Sequence, residues 1–253
     1  MKKYKIMTFN VRVQVESDGE NAFFKRTERL AQVIKEEKPD IIGFQEVDDC
    51  MRETLENICS DYTFYGTGRD GDGKGESVPV AIKKGTFDCL ENQTIWLSNT
   101  PLVPRSTYGE DQSDCSRIYV KCLLKTSEGK VFTFINTHYD HIGVIARKLE
   151  SKQILGEINS INGDFIMTGD FNATPDACEM KMIVDNPIKK TYDLTKNLGP
   201  TFHCFGKWPM EKRVKIDYIF SNINSDKTYI VEDKNKNGLY YSDHYAICSM
   251  IEI

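Results

Sequence analysis

Short apolar runs alternate in this sequence with longer stretches of helical periodicity, and this interleaving limits the folds open to the chain. Residues 4–13, YKIMTFNVRV, alternate as a strand does and place Asn10 near the strand's carboxyl end. A helical stripe follows at residues 22–38, and Pro39 disfavours its continuation. Residues 40–47, DIIGFQEV, then predict a short buried strand. The pattern is typical of an α/β fold.

The same order recurs in the second half of the chain. Residues 143–161 predict a helix, and residues 164–172, DFIMTGDFN, predict another buried strand. We expect the apolar stripe of that helix to consist of Ile145, Leu149, Ile154, Leu155 and Ile158. Further strands are expected at 78–83, 117–125 and 131–138. Because much of the strand content is hairpin-like and no linker interrupts it, we predict one domain, residues 1–253, with mixed sheets covered by helices.

Polar side chains stand where these apolar runs end. The members of this set are Asn10, Glu46, His138, Asp170 with Asn172, Asp217, and Asp243 with His244. Each alone has an ordinary structural explanation, since Asn and Asp often end strands by bonding nearby backbone. Their recurrence favours a site, because ligands of α/β sheets bind where strand ends converge.

The residue types in this set indicate which metal the site would hold. Glu46, Asp170, Asp243 and Asn10 offer oxygen ligands, which suit Mg²⁺ or Mn²⁺. A zinc site is the alternative, since NTHYDHIG (136–143) matches part of the T-H-x-H-x-D-H-x-G motif of metallo-β-lactamase-type zinc hydrolases. Zinc requires histidines or thiolates, and this chain has Asn136 where the first histidine of that motif belongs. We therefore expect Mg²⁺, with Mn²⁺ as a possible substitute.

An ordered set of short motifs extends along nearly the whole chain. The motifs are TFN (8–10), QE (45–46), NTH (136–138), GDFN (169–172), IDYIF (216–220) and SDH (242–244). In this order and spacing the sequence resembles the endonuclease/exonuclease/phosphatase superfamily, whose members are DNase I-like. The resemblance implies a four-layered α/β sandwich with two central mixed β-sheets flanked by helices. It also implies a Mg²⁺-dependent phosphoesterase site at one edge.

The resemblance also implies a role for each site residue. Glu46 is expected to be the principal metal ligand, with Asn10 and Asp243 close by. Asp170 is expected to orient and deprotonate the attacking water, and Asn172 to hold that water or a phosphoryl oxygen. His244 is expected to donate to a phosphate oxygen, with Asp217 fixing its tautomer and His138 acting as a second donor.

Several further residues are candidates for substrate binding. Arg69 lies in the glycine-rich stretch 66–77, which we expect to be a mobile surface loop. Arg117 begins a predicted strand, and Arg147 follows His141 closely enough to meet Asp140 or a phosphate. Asp140 and His141 are expected to surround the substrate rather than to bind the metal. We further expect Asn136, His138 and Asp140 to line one wall of the site, because they share one face of a strand.

Charge and composition narrow the substrate. A net charge of −5 gives no basic footprint for long nucleic acid, so a phosphorylated small molecule or a short nucleic acid is the expected substrate. No signal peptide or membrane span is evident, and the 8 cysteines show no C-x-x-C spacing, so we expect a cytoplasmic protein with reduced thiols and no membrane or obligate protein partner. The predicted function is hydrolysis of a phosphate ester, monoester or diester. The alternatives are a metal-dependent DNA or RNA nuclease and a non-catalytic phosphate-binding scaffold.

Overall fold

A computed structural model describes residues 2–233 and 239–253. The strands are β1 Lys3–Asn10, β2 Ile41–Gln45, β3 Tyr62–Tyr65, β4 Val80–Lys83, β5 Phe87–Trp96, β6 Ile118–Thr126, β7 Val131–His138, β8 Asp164–Asp170, β9 Tyr192–Asp193, β10 Asp217–Ser221, β11 Ser225–Val231 and β12 Ala246–Glu252. The α-helices are α1 Thr27–Glu37, α2 Asp49–Ile58, α3 Val144–Ser160 and α4 Cys178–Val184.

The strands form two six-stranded mixed sheets with the same pattern of pairing. One sheet has the order β11-β12-β1-β2-β4-β3, and the other has the order β5-β6-β7-β8-β10-β9. In each sheet the central pair is parallel, β1 with β2 and β7 with β8, and the pairs on either side are antiparallel. A parallel pair needs a crossover connection, which α1 and α3 supply.

The core has three apolar layers. One layer lies between the two sheets and includes Ile6, Val120 and Ile166. A second packs the outer face of the first sheet against α1 and α2, and the third packs the outer face of the second sheet against α3 and α4. The prediction of two mixed sheets flanked by helices, a four-layered DNase I-like sandwich, is confirmed.

A buried amide joins the two sheets. Asn136 of β7 donates to the carbonyl oxygen of Phe44 at 2.7 Å, and its Oδ1 accepts from Gln45 Nε2 at 2.7 Å. The sheets approach so closely here that a Cβ on Gly43 would lie 2.5 Å from Asn136 Oδ1. The prediction that Asn136 lines the wall of the site is therefore wrong, because its amide satisfies backbone groups between the sheets.

The helices follow the sequence pattern in part. Helix α1 ends at Glu37, just before Pro39, as the sequence predicted. Lys38, between them, takes a left-handed conformation. In α3 the prediction fails over the first turns: Ile145 is 49% exposed, whereas Arg147 and Glu150 are buried. The start of α3 therefore packs through polar side chains.

Candidate active site

The predicted polar residues come together because the ends of several strands meet. Asn10, His138 and Asp170 are the last residues of β1, β7 and β8, and Glu46 directly follows β2. In the parallel pair of β7 and β8, His138 stands in register with Asp170. The carboxyl ends of the parallel strands of both sheets thus supply the first half of the site.

The other half comes from the beginnings of strands, where the prediction of strand ends is wrong. Asp217 is the first residue of β10, which runs antiparallel to β8 and places Asp217 opposite Asp170. Asp243 and His244 precede β12, which runs antiparallel to β1. Antiparallel pairing brings these amino ends to the same edge as the carboxyl ends of their neighbours.

Asn10 bridges two carboxylates. Its Nδ2 donates to Glu46 Oε1 at 3.0 Å and to Asp170 Oδ2 at 2.9 Å, while its Oδ1 accepts from the Arg12 N–H at 2.9 Å. Glu46 has a positive φ of 61°, and its Oε2 accepts from the Val13 N–H at 2.9 Å. Burial raises the pKa of Glu46, but the Val13 N–H and the nearby His244 outweigh burial and leave the pKa below its ordinary value.

Asp243 adds a third carboxylate to this group. Burial raises its pKa above the ordinary value, although His244 partly opposes this effect. Arg12 is the nearest positive side chain at this point, with its Nε 3.7 Å from Asp243 Oδ2 and its Nη1 3.9 Å from Glu46 Oε2. Both distances are too long for hydrogen bonds, and the Arg26 guanidinium and the His244 ring also act on Asp243 and oppose the rise of its pKa.

His244 and Asp217 form a buried ion pair. His244 Nδ1 lies 2.9 Å from Asp217 Oδ2, and both side chains are almost completely buried. Burial lowers the pKa of His244, but the Asp217 carboxylate outweighs it and raises the pKa to about 10. A pKa this high favours the protonated imidazole at neutral pH.

Asp170 lies at the centre of the site, in contact with both imidazoles. Its Oδ2 lies 3.7 Å from His244 Nε2 and 3.6 Å from His138 Nε2, and its Oδ1 accepts from the Asn172 N–H at 2.9 Å. Burial and the Asp217 carboxylate raise its pKa to about 7. Such a pKa suits a group that accepts and releases a proton near neutral pH.

His138 and Asn172 make a second pair. Asn172, which has a φ of 48°, donates through Nδ2 to the Tyr139 carbonyl oxygen at 3.0 Å and to His138 Nε2 at 3.1 Å. Burial lowers the pKa of His138 well below its ordinary value, so the ring is neutral and its Nε2 accepts. This arrangement differs from the predicted donation by His138 to a phosphate.

Two arginines meet at Glu76, which the sequence analysis did not single out. Arg69 Nη1 donates to Glu76 Oε1 at 3.0 Å, and Arg117 Nη1 lies 3.6 Å from the same oxygen. His138 Nδ1 also lies 3.8 Å from this oxygen, and His141 Nδ1 lies 2.8 Å from Arg117 Nη2. The glycine-rich stretch is exposed at residues 71–74, but Arg69 and Glu76 at its two ends turn inward.

Asp140 stabilises the loop that follows β7. Its Oδ1 accepts from the backbone N–H of Ile142 at 3.0 Å and of Gly143 at 2.7 Å, and its Oδ2 accepts from the Ser113 hydroxyl. Burial raises its pKa, but these donors together outweigh burial and lower it. A carboxylate engaged in this way positions the loop and neighbouring side chains, and the expectation that Asp140 does not bind the metal stays a prediction.

Arg147 lies between two helices and not beside the carboxylates. Its Nε donates to Glu179 Oε1 of α4 at 3.0 Å, and its Nη1 donates to the Asp140 carbonyl oxygen at 3.0 Å. Both partners in the Arg147–Glu179 pair are largely buried. Arg147 thus meets Asp140, as one part of the prediction expected, through the carbonyl oxygen of that residue, and its contact with a phosphate stays a prediction.

Local sequence gave weak signals for the residues that the analysis missed. Glu76 lies in the glycine-rich stretch 66–77, and Arg12 lies in the strand-like segment 4–13. Phe202 packs its ring against His244 with centroids 4.8 Å apart, and Trp208 packs against Phe202. Only tertiary packing distinguishes these side chains from ordinary surface and core residues.

The cluster has the chemistry of a divalent-cation site. One ligand atom each of Glu46, Asp170 and His244 lies within 4.8 Å of the others. Because His244 is protonated and bonded to Asp217, the carboxylates are the better ligands, and their oxygens suit Mg²⁺ or Mn²⁺. Two buried carboxylates, Asp170 and Asp243, lie beside the partly buried Glu46, and burial raises the pKa of both aspartates, so a cation would stabilise their ionised forms.

Across residues 2–233 and 239–253, no helix is both long enough and apolar enough to cross a membrane.

Comparison with known proteins gives consistent matches. The family model described as "Endonuclease/Exonuclease/phosphatase family" matches residues 7–244. An endonuclease/exonuclease/phosphatase from Bacteroides vulgatus is 30% identical, with a TM-score of 0.93 and full coverage of both chains. The mannosyl-6-phosphatase Bt3783 from Bacteroides thetaiotaomicron is 25% identical, with a TM-score of 0.87 over 99% of this chain and 100% of that one.

A third match is more distant. The D. rerio protein TDP2, whose structure contains a single-strand DNA product, is 18% identical, with a TM-score of 0.78 and full coverage of both chains. At this identity the similarity shows the fold alone. From the family model and the near-identical architecture of the B. vulgatus protein, we conclude that this chain belongs to the endonuclease/exonuclease/phosphatase family, whose members are hydrolases of phosphoester bonds.

Proposed function

We propose that this protein is a Mg²⁺-dependent phosphoesterase that hydrolyses a phosphate monoester of a small molecule, with Mn²⁺ able to replace Mg²⁺. The observation that carries the proposal is the convergence of two imidazoles on one carboxylate oxygen. His138 Nε2 and His244 Nε2 lie 3.6 and 3.7 Å from Asp170 Oδ2. A protonated imidazole, a proton acceptor and a group of metal-binding carboxylates are the parts that in-line attack of water on phosphate requires.

Each side chain has a defined task in this proposal. His244, kept protonated by Asp217, donates to a non-bridging phosphate oxygen and opposes the negative charge that grows there. Asp170 orients the attacking water and accepts its proton. Asn10 holds the Glu46 and Asp170 carboxylates in place through the two hydrogens of its amide.

His138 has a different task from the one that the sequence suggested. Its neutral ring accepts from Asn172, so we assign it to orienting the Asn172 amide beside Asp170. The ion held by Glu46 and Asp243 would polarise a phosphoryl oxygen or stabilise the leaving alkoxide.

Two observations support a monoester over a nucleic acid. The mannosyl-6-phosphatase is 25% identical over nearly the whole of both chains, whereas the similarity to TDP2 concerns the fold. The net charge of −5 also disfavours binding a long polyanion.

A substrate panel tests the proposal. Release of phosphate is measured from sugar phosphates and mononucleotides, and strand cleavage is measured on single-strand DNA, short RNA and an abasic duplex, each with Mg²⁺, Mn²⁺, Ca²⁺ or excess chelator. We expect Mg²⁺-dependent phosphate release from monoesters that is lost in chelator and in Asp170→Asn. Cleavage of the nucleic acids without release from monoesters would instead identify a nuclease, and activity undiminished by chelator would refute the mechanism.

A further inference from the structure

The residues around Glu76 form a second group beside the reaction centre. We call Arg69, Glu76, Arg117 and His141 the Glu76 group. Glu76 Oε1 lies 3.8 Å from His138 Nδ1, and the other nitrogen of that ring lies 3.6 Å from Asp170 Oδ2. The Glu76 group is therefore separated from the proposed site of water attack by the width of one imidazole ring.

The charges of the Glu76 group are balanced once Asp140 is included, because the two guanidiniums of Arg69 and Arg117 lie near the two carboxylates of Glu76 and Asp140. Arg69 donates to Glu76 at 3.0 Å, and Arg117 lies 3.6 Å from Glu76 and 3.7 Å from Asp140 Oδ2. A second phosphate on the substrate would have to displace these carboxylates from the arginines. Neighbouring phosphates of a nucleic acid would therefore gain little here.

Two buried polar atoms, one in the Glu76 group and one in the neighbouring His138 ring, lack hydrogen bonds. Within the part of the chain that the structure describes, Arg117 Nε and His138 Nδ1 are buried without a hydrogen-bond partner. Burial of an unpaired donor is costly, and because both atoms are closed to solvent, a ligand at this surface would contact the exposed side chains of the group rather than these atoms. The side chains of Arg69 and Glu76 each remain 18% exposed, so a ligand can reach them.

The donor and acceptor types limit the ligand. A guanidinium only donates and an ionised carboxylate only accepts, so a ligand that satisfies both must donate and accept. A hydroxyl group does both and requires no ion pair to break. An uncharged ligand with several hydroxyls can therefore donate to Glu76 and accept from Arg69, which are the partly exposed side chains of this group.

We propose that the Glu76 group binds hydroxyls of the leaving group, so that the substrate is a phosphate monoester of an uncharged polyol such as a hexose. Glu76 accepts from a hydroxyl, Arg69 donates to one, and Glu76 thereby determines specificity. This inference rests on the phosphomonoesterase function proposed above and names its substrate class.

Two phosphate monoesters of similar shape test the proposal that the Glu76 group binds hydroxyls of the leaving group. Hexose 6-phosphates carry ring hydroxyls, and cyclohexylmethyl phosphate has a six-membered ring and the same ester linkage without them. The measured quantity is the ratio of kcat/KM for each hexose 6-phosphate to kcat/KM for cyclohexylmethyl phosphate, with Mg²⁺. In Glu76→Gln we expect the ratio for the best hexose to fall about tenfold to a hundredfold, because an ionised acceptor for a hydroxyl is lost.

The matched control is Asp72→Asn in the same loop. Asp72 is exposed, and its Oδ1 accepts from the Lys74 N–H at 3.1 Å. The ratio should stay at the wild-type value in this variant. Arg69→Met provides a second test should Glu76→Gln fail to fold, and it should lower the ratio in the same direction. Circular dichroism and thermal unfolding verify that each variant is folded.

The outcomes separate this inference from the proposed function. Monoester hydrolysis with the same ratio in wild type, Glu76→Gln and Arg69→Met would overturn the polyol assignment and leave the phosphomonoesterase standing. A wild-type preference for cyclohexylmethyl phosphate would overturn it too. Failure of the wild-type protein to hydrolyse any monoester would overturn the proposed function and this inference with it.

Discussion

Replacing Asp217 by asparagine should move the alkaline limit of activity. His244 Nδ1 lies 2.9 Å from Asp217 Oδ2, and this carboxylate is the main reason that the pKa of His244 is raised to about 10. Relative to an ordinary imidazole, that difference favours the protonated ring by about 5 kcal/mol. Asparagine keeps the volume but removes the charge, so the pKa of His244 should fall towards its ordinary value.

The assay is the pH dependence of kcat/KM at saturating Mg²⁺. An imidazole with an ordinary pKa is only about 1% protonated at about pH 8.5, so Asp217→Asn should lose about a hundredfold in activity there relative to wild type. Below neutral pH the loss should be smaller. A bound cation lowers the pKa of His244 in both proteins, so the comparison is made at one Mg²⁺ concentration. Nitrogen NMR of His244 reports its protonation directly.

The same ion pair should affect stability. The folded-state pKa of His244 lies above the unfolded one, so its contribution is complete below the unfolded pKa and is lost as the pH rises towards about 10. A suitable control is Asp193→Asn, because Asp193 is a partly buried aspartate that pairs with Lys215 at 3.0 Å and lies in a different ion pair. Coincident pH profiles for wild type and Asp217→Asn between pH 7 and 9 would refute the reasoning.

Three more predictions follow from the metal site and the core. Mg²⁺ should raise the Tm of the wild-type protein more than that of Glu46→Gln in thermal unfolding, and equal shifts would contradict Glu46 as a ligand. Arg147→Ala should lower the free energy of urea unfolding by about 3–5 kcal/mol because Glu179 stays buried without its partner. Lys152→Ala, exposed on the same helix, should change it by less than about 0.5 kcal/mol, and similar losses in both would exclude a role for the buried pair. Asn136→Ala should cost about 2–3 kcal/mol in the same assay, since carbonyls between the sheets lose their donor, and a neutral change would argue against this bridge.

The sequence predicted the first half of the site because its signals are local. Alternation and apolar runs locate the ends of β1, β2, β7 and β8, and parallel strands bring such ends to one edge. The sequence patterns did not predict α2 or β5, and most residues of β5 are exposed or partly exposed. Because β5 is an edge strand with much of its length exposed, its apolar and polar residues alternate only weakly, and the sequence does not predict it clearly.

Helix α3 shows where periodicity misleads. Its apolar residues predict a buried stripe that includes Ile145, but the first turns face the Asp140 loop and α4. That surface is polar, so Arg147 and Glu150 are buried and Ile145 is exposed. Periodicity identifies a helix, but the chemistry of the surface against which it packs decides which side is buried.

By itself the sequence identified the candidate site residues, the alternation of strands and helices, and the family resemblance that implies roles for those residues. Tertiary structure decided how they are paired: Asn10 reaches Asp170 across 160 residues, and antiparallel pairing brings the first residue of β10 to the last of β8. Glu76 gained its importance only when Arg69, Arg117 and His138 came near it. The physical reason is that local pattern reflects how each segment is buried, whereas charge compensation and hydrogen bonding depend on partners that only the folded chain brings together.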